Sequence, residues 1–292
     1  MDKYLEGKFA LVTGGGRGIG KAVAIEFAKN GANVAVAART KKELEQTVSD
    51  IEKYGVKGLA IPTDLSTIEG VNDCVISYFE NFTKCNILVP NAGTSHNSNI
   101  IDLPLEEALQ IFNLNFICYF ALIKKVLPYM LEQGSGKIIM TSSAHGNLVF
   151  TANKVAYASS KAAVSAMGRC LDKDLGSLNI DVNVVLPGPV ETKLLWEARK
   201  LGAKYPKSHG PELMAPIYLF LASDTLKRPY KGRLIDHPVL FDLLDKLKNQ
   251  FEKKDIDIEE LLKTSKEKLS KGAYTFFRKN KELVEFMLKY KV

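Results

Sequence analysis

The stretch KFALVTGGGRGIGKAVAIEFAKN, Lys8 to Asn30, decides the fold of this 292-residue chain. Phe9 to Val12 is a short apolar, β-prone run of the kind that fills a buried parallel strand. Gly14, Gly15, Gly16, Gly18 and Gly20 then crowd into seven positions. A helix follows, with apolar positions at Ala22, Val23, Ile25, Phe27 and Ala28, and Gly31 ends it as a C-terminal cap. Glycines between a buried strand and a helix let a phosphate approach the backbone, and the helix N-terminus adds free N–H groups and positive potential. With the strand before it and the helix after it, the turn predicts a nucleotide site. Its spacing is Thr13-Gly14-x-x-x-Gly18-Ile19-Gly20, which departs from G-x-G-x-x-G because Ile19 stands where the last glycine would be.

Outward from this unit, apolar runs alternate with helical patterns, the mark of repeated βα units on a parallel sheet. Strands are expected at 8–13, 33–38, 58–63, 86–90, 136–141, 181–186 and 232–236, with helices near 19–30, 41–54, 67–83, 105–132, 157–177 and 211–223. The reading is a doubly wound Rossmann fold of about seven strands with helices on both faces. Residues 1–238 form the nucleotide-binding domain with a built-in catalytic site, and 239–292 a helical C-terminal extension.

Hydrophobic content of 46% with 25% charged residues describes an ordinary globule. The N-terminal MDKYLEGKF has no apolar signal core, and no uninterrupted apolar run reaches membrane-spanning length. Cys74, Cys85, Cys118 and Cys170 are scattered without CxxC spacing, so thiols in a reducing cytoplasm are expected rather than disulfides or zinc. His96, His145, His209 and His237 do not cluster, so no metal site is expected. Of the charge of +7, +6 sits in the tail, where residues 225–292 carry 17 Lys and Arg against 11 Asp and Glu. No nucleic-acid motif accompanies it, so no nucleic-acid partner is expected.

In such sheets a ligand binds beyond the carboxyl ends of the strands. After the second strand the chain runs Ala37-Ala38-Arg39-Thr40, without the acid that would accept from a ribose hydroxyl. Arg39, with Arg17 from the glycine turn, can instead hold a 2′-phosphate, each charge-assisted bond contributing roughly 1.5–3 kcal/mol. That predicts NADP(H), with NADPH preferred over NADH. Asn115 lies amid Leu114, Phe116 and Phe120, an odd place for an amide without a partner. The fifth strand ends in Ser142-Ser143, and 14 residues after Ser143 comes Tyr157-Ala158-Ser159-Ser160-Lys161. Tyr157 and Lys161, four apart, share one helical face.

Taken together, the glycine turn, Asn91-Ala92-Gly93, Asn115, Ser143, Tyr157 and Lys161 resemble the short-chain dehydrogenase/reductase family over about residues 7–224. The likeness is to its 3-oxoacyl-[acyl-carrier-protein] reductase branch. The resemblance implies that Tyr157 moves the proton, that Lys161 lowers its pKa and binds the nicotinamide ribose, and that Ser143 donates to the substrate oxygen. It implies that Asn115 holds a water in a proton relay, while Ser142 faces away. Thr13, Gly14, Arg17, Gly18, Ile19 and Gly20 would carry the cofactor, with Asn91, Ala92 and Gly93 steadying the sheet beneath it. Asp64, beside Leu65, would accept from the adenine amino group or cap the next helix. Pro187-Gly188 would cover the nicotinamide and Thr192 bond its carboxamide.

The substrate is expected among Thr94 to Asn97, His145 to Asn147 and Leu194 to Trp196, with His145 as a wall or hydrogen-bonding residue. The implied activity is reduction of a ketone or aldehyde to an alcohol. Oxidation of a sugar or polyol hydroxyl, or a non-catalytic cofactor-binding scaffold, are the alternatives. Family members assemble through the helices at 105–132 and 157–177, which implies a homodimer or homotetramer. The chain departs from the family in Pro90, in a short stretch between Thr192 and Glu212, and after Asp236. There amphipathic spacings argue two or three helices packed on the body or a neighbouring subunit, rather than lying on a membrane.

Overall fold

The computed structural model describes residues 3–200, 202, 208–224, 234–236, 240–245, 247, 257–266, 269 and 271–290. In chain order the body runs β1 (Phe9–Thr13), α1 (Gly18–Lys29), β2 (Asn33–Ala38), α2 (Lys41–Glu52), β3 (Gly58–Pro62), α3 (Ile68–Asn81) and β4 (Ile87–Val89). It continues with α4 (Leu105–Phe112), a π-helical turn (Asn113–Ile117), α5 (Cys118–Glu132), β5 (Gly136–Thr141), α6 (Val155–Leu175) and β6 (Ile180–Leu186). Then come α7 (Lys193–Lys200), α8 (Ala215–Ala222) and β7 (Leu234–Asp236). The tail adds helical residues 240–245 (α9), α10 (Ile258–Ser265), α11 (Lys271–Lys279) and α12 (Lys281–Lys289).

All seven strands pair in parallel, in the order β3-β2-β1-β4-β5-β6-β7. The winding reverses between β1 and β4, so their carboxyl ends frame the crevice where such sheets bind ligands. Residues alternate across β1. Ala10 and Val12 join the cluster beneath α1 and α8, and Leu11 joins the opposite cluster with α3, α5 and α6 residues. Burial on both faces is why this strand reads as a continuous apolar run, and each fully buried Leu or Val contributes roughly 1.5–3 kcal/mol.

Four elements differ from the sequence reading. The helix expected over 105–132 is interrupted by the π turn at Asn113–Ile117. The run Leu105–Glu132 is long and apolar enough to cross a membrane by length and composition. Here Cys118, Tyr119, Leu122, Val126 and Met130 sink one face of it into the core. The helix expected over 211–223 is a 3₁₀ turn at Pro211–Leu213 followed by α8, whose Pro216 sits in the first turn, where its missing N–H costs nothing. Helix α7 is absent from the sequence reading, its two turns being too short for a 3.6-residue stripe to repeat. The last strand is confined to Leu234–Asp236, residues 232 and 233 lying outside the described residues.

The tail forms four helical segments among the described residues, one more than the upper expectation. Leu240, Leu243, Leu247, Leu261, Phe277 and Met287 enter the same apolar cluster as α1 and α8. All eight residues of α8 are buried as a result. Phe286 meets Tyr4, Phe220 and Tyr290 at ring-centroid distances of 5.6, 5.3 and 5.2 Å. The Tyr290 hydroxyl reaches Glu26, and Asn30 Nδ2 donates to it at 3.3 Å. Among the described tail residues, these apolar side chains pack against the body.

Candidate active site

The glycine turn is shaped by close approach. A Cβ on Gly20 would stand 2.3 Å from the Gly14 carbonyl oxygen and 2.6 Å from Asn91 Nδ2, so only glycine fits there. Gly18 has φ +56° and would carry its Cβ to 3.0 Å from Thr192, which closes the turn from the β6 side. Arg17 caps α1 in an extended conformation without a side-chain bond to the helix N–H groups, and no acid occupies the first turn. The first N–H groups of α1 are therefore left without a carboxylate, and a phosphate suits that cradle. Thr13 ties the floor together. Its Oγ1 accepts from Asn91 N at 2.9 Å and Ala92 N at 3.1 Å, while Asn91 Nδ2 donates to the Thr13 carbonyl at 2.9 Å.

At the end of β2, Arg39 is exposed and its charge acts on Asp64. Asp64 lies below the usual carboxylate range, first because it accepts the Ser66 backbone N–H, with smaller help from the Ser66 hydroxyl and Arg39. It does not cap α3. Thr67 does, accepting from Gly70 N at 3.0 Å, while Asp64 closes the turn before it. Leu65 is buried beneath that turn. Arg17 is already engaged, with NH1 at 3.1 Å from Glu43 Oε1 in an exposed ion pair.

Asn115 sits in the π turn, fully buried. Its Nδ2 donates to the Thr94 carbonyl and Ser160 Oγ, both at 3.0 Å, and its Oδ1 accepts from Thr94 N at 2.8 Å. The amide is fully used in pinning the loop after β4 to α6. Lys161 is 3% exposed, and its ammonium donates to the Thr141 carbonyl at 2.9 Å. Burial pushes that ammonium down to about 7. A Cβ placed on Gly93 would lie 3.1 Å from Asn115 Oδ1 and 3.4 Å from Lys161 Nζ, so three separate segments converge on one point.

Tyr157 lies one turn before Lys161 on α6, half-buried, with the His145 ring 6.2 Å away edge-on. His145 N donates to Ser143 Oγ at 3.1 Å, which ties the serine to the residue whose ring faces Tyr157. Ser142 points the other way, donating to the Lys161 carbonyl at 2.6 Å and accepting from Ser165 at 2.8 Å. The carbonyl of Pro187, just before Gly188, accepts from Ala144 N at 2.9 Å and so joins the loops after β5 and β6.

Sequence reasoning missed Tyr119. Its hydroxyl accepts from Lys161 Nζ at 3.4 Å and donates to the Thr141 carbonyl at 3.2 Å, with the ammonium 5.1 Å from its ring. Its only signal was a hydroxyl one turn after Asn115 in an apolar helix, which reads as core. Trp196 is 55% exposed and its indole donates to Glu191 at 2.6 Å, an anchor for the start of α7. A cavity of about 600 Å³ opens along α6, lined in part by Ile100, Phe150, Lys154, Val155, Ala158 and Ala162, with neither Tyr157 nor Lys161 in its wall. It shares only Gly146 with the expected substrate pocket.

The family description "short chain dehydrogenase" matches residues 8–201. The 3-oxoacyl-[acyl-carrier-protein] reductase FabG of Thermotoga maritima is 34% identical over 229 residues, 75% of this chain and 92% of that protein. A crystal structure from Beutenbergia cavernae with bound NADP is 28% identical, with a TM-score of 0.74, over 81% of this chain and 97% of that one. The structure of NAD⁺-bound xylitol dehydrogenase is 26% identical with a TM-score of 0.74, over 80% and 99% of the two chains.

Proposed function

The chain belongs to the short-chain dehydrogenase family, and from that premise we propose that this oxidoreductase reduces a ketone or aldehyde carbonyl to an alcohol at the expense of NADPH. The glycine turn and the free N-terminus of α1 would hold the pyrophosphate, and Lys161 the nicotinamide ribose. The reduced nicotinamide supplies the hydride when bound. Everything else falls to the chain's own residues. Ser143 donates to the carbonyl oxygen and Tyr157 delivers the proton to it as charge develops. Bringing a phenol from about 10 to 7–8 takes about 3–4 kcal/mol of selective phenolate stabilisation, which the neighbouring Lys161 ammonium can supply when charged. Asn115 fixes the loop beneath.

The observation that carries this reading is the meeting of Lys161 and Asn115 at Gly93, beside the glycine turn and on the Tyr157 face of α6. A binding scaffold has no use for a buried, costly lysine there. Tyr157→Phe should abolish NADPH-dependent carbonyl reduction while NADPH still quenches protein fluorescence; full turnover in that variant refutes the assignment. Sugar or polyol oxidation is the second reading, favoured by the fold shared with xylitol dehydrogenase. Steady-state rates with polyols and NADP⁺ against ketones and NADPH separate the two.

Preference for NADPH is supported by Arg39, an unpaired acid being absent at that strand end. A homodimer is supported by the exposed apolar side chains of Leu105, Leu109, Ile117 and Phe120 along α4, the π turn and α5. Leu109→Lys with Phe120→Lys should convert the dimer to monomer in light scattering, and an unchanged mass counts against this surface.

A further inference from the structure

The C-terminal tail touches the loop after β6 as well as α8 and α1. Leu240, Leu243, Leu244 and Leu247, on and just beyond α9, form one apolar stripe buried in the cluster of the body. Phe241 is buried beside that stripe, and its ring stands 5.0 Å from the His209 ring at an interplanar angle of 52°. His209 belongs to the body, half-buried, two residues before Pro211. The four leucines already cover the body, and a ring contact with a half-buried loop histidine is not required for that.

His209 is bonded into the loop that leaves β6. Its N–H donates to the Pro189 carbonyl at 3.1 Å, and its carbonyl accepts from Glu191 N at 2.8 Å, a parallel bridge centred on Val190. Val190 is buried in the same apolar cluster as Phe241. The Glu191 carboxylate accepts from the Ser208 hydroxyl, from the Trp196 indole at 2.6 Å and from Arg199 Nη1 at 2.9 Å, bonds that hold it well below the usual carboxylate range. Thr192 comes next, and a Cβ on Gly18 would meet its methyl group at 3.0 Å. One continuous set of contacts therefore runs from α9 through His209, Val190 and Glu191 to Thr192 and the glycine turn. Two backbone bonds make a marginal pairing in water, and the aromatic pair supports it where it lies.

We propose that Phe241 and His209 are positioning residues, through which the tail holds Pro187 to Thr192 over the nicotinamide end of the cofactor. The inference rests on the carbonyl-reductase reading above, in which Pro187-Gly188 and Thr192 cover the nicotinamide. The tail is then a working part of the oxidoreductase, and its effect is read in cofactor affinity. Trp196 is the chain's single tryptophan and is bonded to Glu191, so its fluorescence reports the loop directly.

The test uses four full-length variants. Phe241→Leu keeps α9 apolar and removes the ring. His209→Ala removes the partner ring and leaves the tail cluster whole, and His209→Phe restores a ring there. Phe286→Leu removes a ring from α12, where it meets Tyr4, Phe220 and Tyr290, and serves as the packing control. Phe241→Leu and His209→Ala should each weaken NADPH in calorimetric titration about three- to tenfold, the range one aromatic pair supports, with kcat at saturating NADPH within about twofold of wild type. Both should also raise acrylamide quenching of Trp196. The two together should bind no more weakly than the worse single variant, because they remove one contact. His209→Phe and Phe286→Leu should stay near wild type in affinity and in quenching. Unchanged affinity in Phe241→Leu and His209→Ala, or an equal loss in Phe286→Leu, overturns the positioning role and leaves the reductase reading standing. A wild type that binds no NADPH overturns both.

Discussion

Replacing Lys161 with Met should destroy catalysis and stabilise the fold, by an amount that depends on pH. The ammonium is 3% exposed, and burial lowers it from 10.5 to about 7. Between those values the unfolded chain binds the proton that the folded chain does not, so stability rises with pH across that window. The penalty is therefore largest below pH 7 and vanishes above 10.5. At 1.36 kcal/mol per unit, the shift to about 7 costs about 5 kcal/mol at pH 6 and about 2 kcal/mol at pH 9. Met also forfeits the bonds to the Thr141 carbonyl and Tyr119 hydroxyl, which offsets about 1–2 kcal/mol at either pH. The expected net gain is about 3 kcal/mol at pH 6 and close to zero at pH 9. For a chain of this size that is a rise in Tm of about 6–12 °C at pH 6. Scanning calorimetry without nucleotide at pH 6, 7.5 and 9 reads it directly. A variant less stable than wild type at pH 6, or a gain that does not shrink with pH, would mean that Lys161 is charged and fully compensated inside the fold.

Other substitutions probe the remaining parts of the site. Arg39→Asp should weaken NADPH by about 10- to 100-fold, the loss of one charge-assisted bond and the gain of a repulsion, and should tighten NADH; fluorescence titration with both nucleotides checks it. Glu43→Gln frees Arg17 from its 3.1 Å partner and should tighten NADPH a few-fold in the same titration. Tyr119→Phe removes the hydroxyl beside Lys161 and should lower kcat about tenfold with KM little changed, while moving the pH profile of kcat/KM; a profile that stays put leaves Tyr119 a packing residue. Gly20→Ala must push its Cβ out of a 2.3 Å contact with the Gly14 carbonyl, at a cost of about 1–3 kcal/mol, and should lose NADPH binding, whereas Gly55→Ala, which is strained by its φ of +75° but lies between α2 and β3, should bind normally.

The sequence by itself determined the sheet and the glycine turn, and put Tyr157 and Lys161 on one helical face, because these are written in short-range patterns. A buried parallel strand must be apolar throughout, a crossover helix must carry a 3.6-residue stripe, and two residues four apart must share a helical face. The π turn escaped, since an extra residue in a helical turn leaves the apolar stripe almost intact. Helix α7 escaped because eight residues make only about two turns, too few for a 3.6-residue stripe to repeat. Only the tertiary structure decided which faces meet. Asn115 closes on Thr94, Lys161 on Tyr119, and Lys154 on His96, pairs separated by 21, 42 and 58 residues. The tail was legible as amphipathic helices, yet its target, α8 and the flank of α1, was not. Periodicity says that a face is to be buried. The choice of partner is made by the order in which the crossovers stack around the sheet, which no local pattern encodes.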